Sequence, residues 1–151
     1  MKALIYFAII ICFTSQHPAT EVKLSKLGVF DGRTPCKDLA KMLDEQAPSD
    51  CIKIKWRLTL YVDSITRKPD SYSLLGFMRE KGGPRKGSWS IIKGTKEDPE
   101  ATIYKLDDNN GKPSLFLLKG DDNVLFFLDS EMKHLVGNRD FSYALNRMPG
   151  K

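Results

Sequence analysis

The stretch from Cys51 to Val62, CIKIKWRLTLYV, alternates between apolar and polar side chains. The apolar side holds Ile52, Ile54, Trp56, Leu58, Leu60 and Val62. The other side holds Lys53, Lys55, Arg57, Thr59 and Tyr61. A period of two over so many residues predicts a β-strand with one buried face and one face in water. The basic side chains are therefore expected on the wetted face.

The rest of the chain repeats this kind of signal in shorter pieces. Short apolar runs at residues 71–80, 87–92, 101–106, 114–119, 124–129 and 141–148 are separated by turn residues. Turn signals at intervals of about 8 to 12 residues favour an antiparallel meander over βαβ repeats. The sequence therefore predicts an all-β fold, a small lipocalin-like barrel of about eight strands, with residues 134–137 as a possible ninth.

One stretch has the helical period instead. In KDLAKMLDEQ, residues 37–46, Leu39, Met42 and Leu43 fall at i, i+3 and i+4, which predicts a helix of two to three turns. It follows a first strand from residue 22 to residue 30, closed by a turn at Asp31 and Gly32. Because the runs at 114–119 and 124–129 are apolar on both faces, we expect the helix to pack over the sheet or to plug one end of it.

The first segment has the pattern of a secretory signal. Lys2 is followed by an apolar run from Ala3 to Phe13, which is shorter than the about 20 residues needed to span a bilayer. We predict a signal at residues 1–15, a single domain at 22–148, and export to the periplasm or outer envelope of a Gram-negative-type bacterium. Cys12 could instead be a lipid-attachment cysteine, although IIIC lacks the small residues usual before one.

Two cysteines remain if Cys12 leaves with the signal. Cys36 and Cys51 could form a structural disulfide, which would contribute about 3 kcal/mol by closing the loop between them. Alternatively, they could form a pair of thiolates that holds a soft ion such as Cu(I). The sequence leaves both alternatives open.

Catalytic patterns are weak throughout. The two histidines, His17 and His134, stand in no metal-binding spacing, and no GxSxG motif is present. The acidic pairs at 107–108 and 121–122 lie beside Asn and Gly, where carboxylates cap turns. The net charge of +5 is spread along the chain without a nucleic-acid motif. We expect a non-enzymatic protein that has no cofactor other than a possible Cu(I) and that binds no nucleic acid.

The aromatic residues of the predicted strands allow a different function. Candidates for lining the barrel interior are Trp56, Trp89, Phe116 and Phe126. They could form a packed core, or they could enclose a small apolar ligand, as in a lipocalin-like carrier. A third possibility is an inhibitor that presents a rigid turn, such as residues 93–100.

Several short motifs resemble a known family. GVFDGRTPC, an alternating IKIKWRLTLY strand, YSLLGF, RKGSW, ATIYKLD and LFFLD occur in this order between Leu27 and Leu128. This pattern resembles the N-terminal domain of the NlpE-like envelope proteins of Gram-negative bacteria, which is a small lipocalin-like β-barrel.

The resemblance implies a role in copper tolerance or in signalling envelope stress. Cys36 matches the first cysteine of the family's Cys-x-x-Cys motif. Cys51 would match the second if the helical stretch is an insertion between them. An envelope protein is the implied partner, in place of the small apolar ligand expected for a carrier.

Overall fold

The computed structural model describes residues 23–76 and 83–150. They form a closed antiparallel barrel in which each strand pairs with the next and the last pairs with the first. The elements are β1 (Leu24–Pro35), α1 (Lys37–Met42), β2 (Lys53–Asp63), β3 (Pro69–Gly76), β4 (Arg85–Lys93), β5 (Thr102–Asp108), β6 (Leu115–Lys119), β7 (Val124–Leu128) and β8 (Ala144–Arg147). The predicted fold class, an eight-stranded barrel with a short helix after its first strand, is confirmed. The predicted signal, with Cys12 and His17, lies outside the described residues.

Strand β2 is the stretch that decided the prediction. Its alternate side chains from Ile54 to Val62 are at most 6% exposed and point into the barrel. The lysines and the arginine between them are exposed. Ile52 departs from the pattern, since it precedes the strand and is 74% exposed. Its assignment to the buried side was wrong because β2 begins only at Lys53.

Strand β1 continues beyond the predicted turn. Asp31 and Gly32 lie opposite Arg57 and Trp56 in the β1–β2 ladder, so they extend the strand to Pro35 instead of ending it. A Cβ atom on Gly32 would collide with the carbonyl oxygen of Ala144. The absence of a side chain at Gly32 therefore allows β8 to approach and close the barrel. In the sequence, a glycine needed for such close approach looks the same as a glycine in a turn.

Helix α1 is shorter than predicted. It ends at Met42, and Leu43 and Asp44 already form a turn in which Asp44 adopts a positive φ of 51°. Leu39 and Leu43 are buried with the residues of the barrel core. The helix therefore lies at the end of the barrel where β1 ends and β2 begins. None of the helices in the described part of the chain is long and apolar enough to cross a membrane.

The connection between β7 and β8, residues 129–143, returns alongside β7. The Leu135 amide donates to Phe127 O (3.3 Å), and the Phe127 amide donates to Tyr143 O (2.9 Å). His134 forms an isolated bridge with Leu128, so residues 134–137 do not form the possible ninth strand. The outer face of β6 and β7 is half-buried, and its Phe126 contacts the ring of His134 from this connection.

Several turns are fixed by carboxylates, as the acidic pairs predicted. Asp121 Oδ1 accepts the amides of Asn123 and Val124, and Asp108 Oδ1 accepts that of Asn110. Asp63 does the same for the amides of Ile65 and Thr66. The hydrogen bonds from Thr66 and Ile65 lower the pKa of Asp63, because they favour its charged form.

Candidate functional site

The two cysteines are joined. Cys36 and Cys51 form a disulfide with their Cα atoms 6.0 Å apart. Of the two alternatives, the structure therefore contains the bridge. In this form neither sulfur is a thiolate that could hold Cu(I). The bridge ties the residue before α1 to the approach to β2, so it closes the loop that carries the helix.

Further contacts hold α1 against the barrel. The Tyr143 phenol donates to Asp38 Oδ2 at 2.7 Å, and Lys112 Nζ donates to Asp44 O at 3.4 Å. Burial, together with the hydrogen bond and charge of Asp38, raises the pKa of Tyr143, because all three disfavour the phenolate. The loop that carries the helix is thus fixed by one covalent bond and two polar contacts from distant parts of the chain.

The two tryptophans lie in the interior, as predicted. Trp56 Nε1 donates to Thr34 Oγ1 at 2.8 Å, and its ring lies 5.7 Å from that of Phe127. Trp89 Nε1 donates to the carbonyl of Tyr61 at 2.7 Å. Both indoles are at most 6% exposed. Their surroundings are those of a packed core, with the indole N–H groups satisfied by the barrel wall.

Phe116 and Phe126 do not line the interior. Both are half-buried, whereas Leu117 and Phe127 next to them are buried in the core. Side chains alternate between the two faces of a strand, so the two phenylalanines belong to the outer face. Phe126 contacts the ring of His134 there, with centroids 6.1 Å apart. Their prediction as lining residues was wrong, because both faces of these strands are apolar and the sequence does not show which one points inward.

A buried ion pair was not predicted. Arg85 Nε lies 2.6 Å from Asp108 Oδ2, and the two side chains are 3% and 0% exposed. The Arg85 Nη2 also donates to the carbonyl of Pro113. Tyr72 is buried nearby. Burial raises its pKa, and the charge of Arg85 offsets only part of this increase. Neither the Tyr72 phenol nor Arg85 Nη1 has a hydrogen bond of good geometry with a described residue.

The outer face of β1 and β2 carries a basic groove, which we define by Arg33, Lys53, Lys55 and Arg57. It consists of two adjoining depressions of about 600 and 560 Å³ that share Asp31, Lys55 and Trp56. Leu75 lies on the β3 side and Phe141 on the β8 side. The sequence analysis placed Lys53, Lys55 and Arg57 on the wetted face of the strand, while Arg33 was missed because a turn was assigned just before it.

The charges in the groove are unequally compensated. Arg57 makes a two-pronged contact with Asp31, with Nε–Oδ1 and Nη2–Oδ2 distances of 2.9 and 2.6 Å. Lys53 Nζ lies 5.5 Å from the centre of the Phe141 ring. Arg33 and Lys55 are exposed and directly opposite each other in the β1–β2 ladder. Neither forms an ion pair with any residue in the described ranges.

No metal centre stands out beside this groove. Within residues 23–76 and 83–150, no group of three or more His, Cys, Asp or Glu side chains is placed to hold a metal ion. His134 is exposed and contacts Phe126 and Leu128.

Comparison with known proteins found no matching family model, no matching curated protein and no matching solved structure.

Proposed function

We propose that this protein is a non-enzymatic binding protein that recognises an anionic partner through the basic groove. The observation that supports this function is the direct opposition of Arg33 and Lys55. Like charges opposite each other on neighbouring strands destabilise a sheet. Surface charges that only maintain solubility work best when positive and negative side chains are interspersed. An anion bound between the two side chains would remove their repulsion.

No catalytic step is assigned to the groove. Its cations are arginine and lysine, whose charges suit anion binding. Its two carboxylates are already engaged, Asp31 by Arg57 and Asp140 by Arg139 at 3.5 Å. The packed core beneath the groove gives these side chains a rigid support, which limits the conformational entropy lost on binding.

Charge reversal tests this function. Lys55→Glu should abolish retention on an anionic resin at low salt, and it should raise the free energy of unfolding by about 0.2–1 kcal/mol through pairing with Arg33. The control is Lys96→Glu, which makes the same charge change at an exposed position in the β4–β5 connection. Equal loss of retention in both variants would show that only net charge matters, and the groove would have no specific role.

The cellular setting comes from the sequence and stays a prediction. Export to the envelope and membership of the NlpE-like family would place the barrel where acidic envelope components are available. Mature protein recovered from the envelope fraction of the producing cell, with its N-terminus determined by mass spectrometry, would test export. A copper role through Cys36 and Cys51 is outside this function, since the disulfide occupies both sulfurs.

A lipocalin-like carrier is the second candidate. It is favoured by the buried Tyr72 phenol and Arg85 Nη1, which lack good hydrogen bonds and could bind a polar group of a ligand. Close packing of Trp56 against Phe127 weighs against it. Titration with a fluorescent fatty acid would decide the matter. A saturable signal that Tyr72→Phe weakens would support a carrier, and no signal at millimolar ligand would exclude one for this ligand class.

A further inference from the structure

We infer that the partner of the basic groove is an extended acidic segment of a protein, with carboxylates at every second residue. This inference rests on the proposed function and specifies the partner. It follows from the spacing of the cations, from the shape of the groove, and from which cations are free.

The spacing is set by β2. Lys53, Lys55 and Arg57 are alternate residues of one strand, so their Cα atoms repeat at about 6.6–6.8 Å. An extended peptide places its own alternate side chains at the same interval. A segment that lies along β2 can therefore bring one carboxylate to each successive cation without a change of register. Consecutive carboxylates would point to opposite sides, and only half of them would reach the groove.

The shape of the surface favours a chain over a membrane. The groove is a pair of shallow depressions, flanked by Leu75, which is 46% exposed, on the β3 side and by Phe141 on the β8 side. Trp56 and Gly76 also line the depression on the β3 side. A flat bilayer surface would touch the tips of the basic side chains and leave the depressions uncovered. A single extended chain, about 5 Å wide to judge from the spacing of neighbouring strands, can lie between the two flanking residues.

The cations differ in what they can do. Arg57 is already held by both oxygens of Asp31, so it is not available without breaking that pair. Arg33 and Lys55 face each other and can grip one carboxylate from two sides. Lys53, held over the Phe141 ring, is placed for the carboxylate two residues along. The segment therefore needs at least two carboxylates at i and i+2.

Two peptides of identical composition test this directly. Ac-Ser-Glu-Ser-Glu-Ser-Glu-Ser-NH2 has alternating carboxylates, and Ac-Glu-Ser-Ser-Glu-Ser-Ser-Glu-NH2 has the same charge with no two carboxylates at i and i+2. Each peptide is titrated to millimolar concentration while the backbone amide chemical shifts of β1 and β2 are monitored. The alternating peptide should bind at least ten-fold more tightly. Lys55→Glu and Arg33→Glu should each remove this preference, and Lys96→Glu should keep it.

The remaining outcomes separate this inference from the proposed function. Equal binding of the two peptides would overturn the extended segment, while anion binding by the groove would stand. Binding only to vesicles that contain anionic phospholipid would likewise overturn it, in favour of a membrane surface. Failure to bind either peptide, the vesicles or an anionic resin would overturn both.

Discussion

The phenol of Tyr143 donates a hydrogen bond to the carboxylate of Asp38 and so joins the segment before β8 to the first turn of α1. The two residues are 105 positions apart in the chain, and Tyr143 is only 3% exposed. This bond, the Cys36–Cys51 disulfide and the packing of Leu39 together hold α1 against the barrel. Each contact can be removed separately, so the contribution of each to stability can be measured.

Tyr143→Phe should lower the free energy of unfolding by about 1–3 kcal/mol, because it removes a partly buried hydrogen bond to a charged acceptor. The pKa of Tyr143 is raised in the folded state, so its contribution is complete below the unfolded pKa of about 10 and is lost as pH rises further. Urea unfolding at pH 7 and pH 10.5 would show both effects. Tyr61→Phe, at a half-buried residue of β2, is the control and should change neither.

Replacement of both bridged cysteines, Cys36→Ser with Cys51→Ser, should cost about 3 kcal/mol, the chain-entropy value for a loop of this length. Urea unfolding would measure it, and reductant should lower the stability of the wild type but leave the variant unchanged. A free-thiol assay of the unfolded, non-reduced protein in a Cys12→Ser background should find no thiol. Two reactive thiols, protected by one equivalent of Cu(I), would instead favour a metal-binding pair.

Thr34→Val should destabilise the barrel by about 1–3 kcal/mol, because the indole N–H of buried Trp56 would lose its acceptor. Thr34 is fully buried, so water cannot replace the hydroxyl. Thr34→Ser retains the oxygen and should recover most of the loss, which separates the hydrogen bond from side-chain volume. Thermal unfolding followed by Trp fluorescence is the measurement. Equal losses in the two variants would contradict the role of the hydroxyl.

Breaking the buried ion pair should be more costly than removing it entirely. Asp108→Asn leaves Arg85 charged without its partner, and about 3–5 kcal/mol of stability should be lost. The double variant Arg85→Met with Asp108→Leu should lose less than Asp108→Asn alone, since no charge stays buried. Chemical denaturation of both variants and of Arg85→Met would complete the comparison. A double variant less stable than either single variant would show that the pair itself stabilises the barrel.

The sequence predicted those parts of the fold where one face of a strand is apolar and the other is not. Strand β2 shows this, with its buried side chains identified from Ile54 to Val62. The pattern fails in β6 and β7, where apolar Phe116 and Phe126 occupy the outer face. Which face points inward cannot be assigned there from the sequence, because the outer face is also apolar and its contact with His134 is not apparent from the strands themselves.

The buried ion pair was missed for a related reason. Arg85 and Asp108 look like surface residues by type, yet they have the same parity as the buried residues Trp89 and Leu106 of their own strands. Counting in twos from Trp89 would have placed Arg85 inside. Arg33 was missed because Gly32 was interpreted as part of a turn, so that the strand was not extended to Arg33. In the structure Gly32 instead allows close contact with β8.

Closure of the sheet leaves the ring without a fixed starting strand. Because β8 is hydrogen-bonded to β1, with Arg147 opposite Phe30, the ring has no strand that must come first. Leu24 lies six residues before Phe30, about 20 Å away in an extended strand, and a linker of about six or seven residues could span that distance. A circular permutant that starts at Lys96 and ends at Thr95 would keep every strand pair. It would also keep α1, its disulfide and the basic groove within one uninterrupted stretch of chain.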